Sequence, residues 1–258
     1  MSTPGQGISA VEGEGPVKVL VLHGWALDSS VWRASADIIN RQRFTYAYFD
    51  FPGYGTNSAA APADGIDGMA RAALAAADRL GWKSFAVLGH SMGGATAIRV
   101  ATLAPDRVNA VFALTPVSPA GTPLDAATYE SFRSAWPQCG PALRSLSPFL
   151  TDEQLSEIVA QSNTTMNKQV WDAYLANWTG PNFADAVRNY TAPTTLAVGD
   201  GDPFVTAEYL ASTLSALQDG TLVSIPGAGH YPMLEQTKAT VTLWEKAFSE
   251  VEQSNKGA

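Results

Sequence analysis

Ser91, Asp202 and His230 are the residues of this chain whose types and settings suit nucleophilic catalysis. Ser91 lies in Gly89-His90-Ser91-Met92-Gly93-Gly94, between the apolar run Phe85–Leu88 and the stretch Ala95–Ala101, which reads as a helix. A serine on such a strand-to-helix turn presents its hydroxyl beyond the sheet edge, and the flanking glycines let strand and helix approach closely. The hydroxyl is a weak nucleophile until a base accepts its proton and an acid orients that base. Three histidines are available. His90 adjoins the serine on a sharp turn, so the two side chains are expected to diverge; His23, at a strand end before Gly24, reads as structural. His230 sits in the glycine-rich loop Pro226–Pro232 after a late strand. Loops at that end of an α/β sheet are where reactive groups stand, so His230 is the expected base. Gly199-Asp200-Gly201-Asp202-Pro203 supplies two carboxylates. Asp200 closes a strand, whereas Asp202 lies on the loop beyond and can turn toward the histidine. Asp202 is therefore the expected acid, with Asp200 the alternative.

These three side chains need strands that end side by side. Continuous apolar runs at Val17–Leu22, Thr45–Phe49, Phe85–Leu88, Val108–Leu114, Thr194–Val198 and Thr221–Ile225 read as buried strands. Helices are expected over about 65–80, 206–217 and 236–251, in addition to the one after Ser91. Such alternation predicts an α/β fold, a mostly parallel, doubly wound sheet covered on both faces. The residues before Val17 offer a weaker, antiparallel edge strand. Between Pro116 and Thr191 no strand is evident. Thr151-Asp152-Glu153-Gln154 has the form of a capping box. Val170, Trp171, Tyr174, Leu175 and Trp178 form one apolar stripe, and Tyr129, Phe132 and Trp136 another. The expected organisation is a core of residues 1–115 and 192–258 with a helical cap, residues 116–191, over the sheet's C-terminal edge.

Composition narrows the function classes. The 258 residues are 46% hydrophobic and 16% charged, which suits a globular core, and the net charge of -8 offers no basic face for nucleic acid or an anionic membrane. Cys139 is the single cysteine, so an internal disulfide and a C-x-x-C metal site are both excluded. The Asp200/Asp202 pair lacks the glycine and distal glutamate of a calcium loop, and no cofactor or metal is expected. No basic-then-apolar leader or membrane-length apolar run is visible, so a soluble, cytoplasmic protein is the expectation.

Taken in order, Leu22-His23-Gly24-Trp25, Asp50-Phe51-Pro52-Gly53-Tyr54-Gly55, the Ser91 segment, Gly199–Asp202 and Gly229-His230 resemble the α/β-hydrolase superfamily. The resemblance is to the serine-nucleophile branch with a helical cap, and it covers most of the chain. It implies an oxyanion hole made by the Trp25 and Met92 backbone N–H groups. It implies hydrolysis of a small carboxylic ester or lactone, as in esterases and enol-lactonases. Ser91 argues against the branches that use an aspartate nucleophile. Carbon–carbon hydrolases commonly carry asparagine where this chain has His90, which lowers that alternative. Cofactor-free haloperoxidases and dioxygenases of the same fold remain alternatives, and a small-molecule receptor is a further one. For a small apolar substrate, Trp136, Trp171, Trp178 and Phe183 of the cap, with Phe204 and Tyr231 beside the acid and base, are the candidate pocket residues; at helical spacing, packing between cap and sheet is the alternative reading of the four cap aromatics. Arg133, Arg144 and Arg188 read as solvated surface charges.

Overall fold

Residues 7–180 and 183–256 are described by the computed structural model, and in it the apolar runs assemble into one sheet. Its strands are β1 (Ile8–Glu12), β2 (Val17–Leu22), β3 (Phe44–Phe49), β4 (Phe85–His90), β5 (Val108–Leu114), β6 (Thr194–Gly199) and β7 (Gly220–Ile225). They lie in the order β1-β3-β2-β4-β5-β6-β7. Only β1 is antiparallel, Val11 facing Ala47; the others pair in parallel, as Leu20 with both Ala47 and Val87, and Val111 with Thr194. Every residue of β3 and β4 is buried, as strands covered on both faces require. The edge strand β7 is only partly buried along most of its length.

Helices α1 (Gly65–Arg79) and α2 (Met92–Leu103) join successive strands. Between β5 and β6 comes an insert of five helices among the described residues: α3 (Ala126–Ser134), α4 (Gly140–Leu146), α5 (Asp152–Thr165), α6 (Lys168–Thr179) and α7 (Ala184–Val187). Thr151 and Gln154 make both halves of the capping box before α5. Then α8 (Ala207–Ala216) links β6 to β7, and α9 (Pro232–Glu235) and α10 (Thr237–Lys256) close the chain. The last helix departs from expectation, because Pro232 opens a separate turn and Gln236, at φ -135 and ψ 51, interrupts the helical path. Trp136 also departs from its stripe, since α3 ends at Ser134 and Trp136 stands beyond it.

Candidate active site

Ser91 follows β4 directly and caps α2 with φ 53 and ψ -116, a left-handed backbone rare for a residue with a side chain. The surroundings hold it there. Its N–H donates to the Leu114 carbonyl at 2.8 Å, and its own carbonyl accepts from Gly94 and Ala95. A methyl group on Gly89 would lie 2.1 Å from the Gly93 carbonyl oxygen, and one on Gly93 would lie 2.3 Å from the His23 carbonyl oxygen. The glycines are therefore required by close backbone approach on both sides of the turn.

The Ser91 hydroxyl meets His230 Nε2 at 2.9 Å, and His230 Nδ1 meets Asp202 Oδ2 at 2.7 Å. A carboxylate only accepts, so Nδ1 carries the proton and Nε2 is left to accept from the serine. The second oxygen of Asp202 accepts from the Phe204 and Val205 N–H groups at 2.8 and 2.9 Å, which fixes the carboxylate plane. Asp200 turns away and accepts from the Gly227 N–H. Asp202 is 4% exposed, and Ser91, 8% exposed, borders the cavity above it.

His230 is also held by its backbone, through residues the sequence did not single out for this. Its carbonyl accepts from His90 Nε2 at 2.7 Å and from the Thr115 hydroxyl at 3.1 Å. Its N–H donates to Ser147 Oγ at 2.9 Å. His90 thus carries its proton on Nε2, and its bare Nδ1, without a partner among the described residues, faces Gly24. Burial, reinforced by the neighbouring His230, holds His90 well below the ordinary histidine range. His23 is likewise lowered by burial, partly opposed by Asp50. Its ring accepts from the Phe51 N–H at 3.1 Å and donates to the Gly24 carbonyl at 2.8 Å.

Above Ser91 lies a cavity of about 190 Å³. Trp25, Phe204 and Tyr231 line it from the core, and Phe132, Leu146 and Trp178 from the insert. No lysine, arginine, aspartate or glutamate lines it among the described residues. Tyr209 and Thr122 are hydrogen bonded to each other in its wall, and Tyr209 also accepts from the Ser118 N–H at 2.7 Å. Burial raises the Tyr209 and Tyr231 hydroxyls above the usual phenol range, so both face the cavity neutral.

Of the expected pocket residues, Trp178, Phe204 and Tyr231 line this cavity, whereas Trp136, Trp171 and Phe183 do not. Trp171 is fully buried behind Trp25, ring centroids 4.0 Å apart, with its N–H donating to the Phe132 carbonyl. Trp136 packs at a tilt against Trp171, ring centroids 5.6 Å apart. Phe183 instead lies under the Arg99 guanidinium. Phe132 and Leu146 were missed as lining residues. Phe132 was legible only as part of a helical stripe, and Leu146 carried no signal. Arg133 and Arg144 pair with Glu130 and Asp152 on the surface.

The sequence profile of the alpha/beta hydrolase family matches residues 19–243. A curated relative, the pimeloyl-[acyl-carrier protein] methyl ester esterase of Citrobacter koseri, is 35% identical over 147 residues, which is 57% of this chain and 49% of that protein. This chain spans about half or less of the length of the curated relatives it matches. Among solved structures, a thermophilic esterase from Thermogutta terrifontis superposes with a TM-score of 0.77 at 21% identity, over 94% of this chain and 92% of that one. The enol-lactonase of Burkholderia xenovorans LB400 superposes with a TM-score of 0.80 at 17% identity, over 93% and 95%.

Proposed function

The chain belongs to the α/β-hydrolase family, and on that premise we propose that it cleaves a small, neutral carboxylic ester or lactone through an acyl-enzyme. One observation carries the reading: Ser91, His230 and Asp202 form a continuous hydrogen-bonded relay that opens into an uncharged apolar cavity. Ser91 Oγ attacks the carbonyl carbon as His230 Nε2 takes its proton. Asp202 keeps the imidazole in the required tautomer and stabilises the imidazolium that forms. The proton then passes to the departing alkoxide. Water, activated by the same imidazole, attacks the acyl-serine and releases the acid. In a lactone the alkoxide stays tethered, and the product is a single hydroxy acid.

The negative charge on the tetrahedral intermediate is assigned to the Trp25 and Met92 N–H groups. Met92 is the first residue of α2, where helix geometry leaves N–H groups without intrahelical acceptors and the helix dipole is positive. Losing one such donor costs on the order of a hundredfold or more in rate. Residues 116–191 are read as a cap over the core of 1–115 and 192–258, since Phe132, Leu146 and Trp178 roof the cavity. The cavity volume corresponds to roughly six waters at ~30 Å³ each, which suits a short acyl or alkyl group. Among the described residues its walls offer no lysine or arginine for an anionic substrate. This supports a neutral ester over a free-acid monoester.

The test is Ser91→Ala assayed on p-nitrophenyl acetate and butyrate. Turnover should fall by about 10⁴-fold or more with an unchanged far-ultraviolet circular dichroism spectrum. Undiminished turnover in that variant would overturn the acyl-enzyme reading. Among the described residues no helix is long and apolar enough to cross a membrane.

A further inference from the structure

The end of α4 and the connector that leads from it to α5 touch three parts of the site at once. Leu146 lines the cavity. The next residue, Ser147, is fully buried, accepts from the His230 N–H at 2.9 Å and donates to Glu235 Oε1. The other oxygen of Glu235 accepts from the Gly229 N–H at 2.7 Å and the Tyr231 N–H at 3.3 Å. A methyl group on Gly229 would lie 2.3 Å from Ser147 Oγ, so the loop and the connector are in close contact. Two residues further on, the Phe149 ring covers Gly201, where a methyl group would lie 2.2 Å from Phe149 Cε2. Gly201 immediately precedes Asp202. The Arg144 guanidinium braces the connector by donating to the Leu150 carbonyl.

The carbonyl of His230 is held by core residues, His90 and Thr115, whereas its N–H is held by the insert. Ser147 thus holds the His230 backbone directly, and Glu235 holds Ser147 together with the Gly229 and Tyr231 N–H groups on either side of His230. We propose that Leu146–Leu150 is a positioning element for the base. Ser147 sets the orientation of His230, and a substrate filling the space against Leu146 tightens that hold. The proposal rests on reading Ser91, His230 and Asp202 as a hydrolytic relay. Small displacements at such a base are costly, because an error of about 1 Å lowers rate about a hundredfold.

Ser147→Ala tests it by two independent readouts, amide hydrogen exchange at His230 and kinetics on p-nitrophenyl acetate, butyrate and hexanoate. Exchange at the His230 amide should accelerate about tenfold while β4 and β5 stay protected. On the esters, kcat should fall by about ten- to a hundredfold with KM changed less than about threefold. Any gain in kcat that the unaltered protein shows with acyl length should disappear. Unchanged His230 exchange overturns the proposal, as does a raised KM with kcat intact. If the unaltered protein cleaves no ester, the hydrolytic reading fails, and the exchange arm still decides whether Ser147 holds His230. Should Ser147→Ala not fold, Ser147→Cys keeps a small side chain but only a weak sulfur acceptor for the His230 N–H. Full kcat with unchanged His230 exchange in folded Ser147→Cys would equally overturn the proposal.

Discussion

Gly93 in the core and Gly140 in the insert each stand in the first turn of a helix. A methyl group on the first would lie 2.3 Å from the His23 carbonyl oxygen, and one on the second 3.5 Å from the Val159 side chain. The first distance is a collision with rigid backbone; the second is an ordinary contact. The contrast holds more widely. In α2 most residues are buried, and its start is set by backbone close approach around Ser91. In α3 only Phe132 is buried, and the helix starts where Asp125 caps the Thr128 N–H. Around Ser91 the core is thus specified by where backbones must touch, and α3 of the insert by a cap and one apolar anchor. Ser91, Asp202 and His230 all stand in the first region, and the walls of the space above them come from both.

The hardest test of this division is Asp202→Asn. An asparagine amide donates toward His230 Nδ1 and favours the wrong tautomer, so kcat should fall by about 10⁴-fold with little loss of fold. Phe132→Ala, an insert wall position, should instead alter KM and the preferred acyl size, with kcat on a short ester within about tenfold. Equal kcat losses in the two variants would break the division between chemistry and walls. Next in size is the glycine pair. Gly93→Ala should cost about 3 kcal/mol or more, read in urea unfolding. Gly140→Ala should stay within about 1 kcal/mol of the unaltered protein.

A third test uses pH, because all three histidines lie in the core and none in the insert. His23 and His90 are both lowered by burial, so the unfolded chain binds protons that the folded one refuses. Stability from these groups is fully present above the unfolded value of about 6.5 and falls as pH drops below it. The slope should approach ~1.4 kcal/mol per pH unit for His90, and His23 adds to it in the same direction. Asp67, lowered chiefly by its hydrogen bond to Arg99, loses its contribution only in the acid range below the usual carboxylate value, well apart from that window. Melting temperatures measured from pH 8 to pH 5 check this, and a flat profile through pH 6 would contradict it.

Much of the core was legible because burial on both faces turns a strand into an unbroken apolar run. Ser91, Asp202 and His230 could then be placed because each follows such a run. The edge strand β1 was less plain, as its residues are mostly half-exposed. Within the insert, aromatic spacing did not tell which rings face the cavity. Trp171 lies on the same stripe as Trp178, yet its N–H is used by the Phe132 carbonyl and its ring is covered by Trp25. The contact of Ser147 with Glu235 was invisible for a different reason. It joins a lone serine in a connector to a carboxylate 88 residues away, and no periodicity links them. Glu235, close after His230 on the turn α9, was the one local hint.

The smallest expected effect decides whether the two regions are energetically separate. Thr151 Oγ1 accepts from the Gln154 N–H at 3.1 Å, and Gln154 Oε1 accepts from the Thr151 N–H at 2.9 Å. Gln154 Nε2 also donates to the Leu234 carbonyl at 3.0 Å, tying the start of α5 to the turn after His230. Thr151→Ala removes only the first of these bonds, since alanine keeps its N–H for Gln154. The cost should be about 1 kcal/mol, as for other lost N-caps. If the insert opens locally, amide exchange should rise in α5 while β4 and β5 keep their protection and hydrolysis is unchanged. If β4 and β5 lose protection in step with α5, insert and core open as one cooperative unit. The Gln154–Leu234 and Ser147–Glu235 contacts would then be structural seams of a single body, and the contrast between the two regions would concern how they are specified rather than how they move.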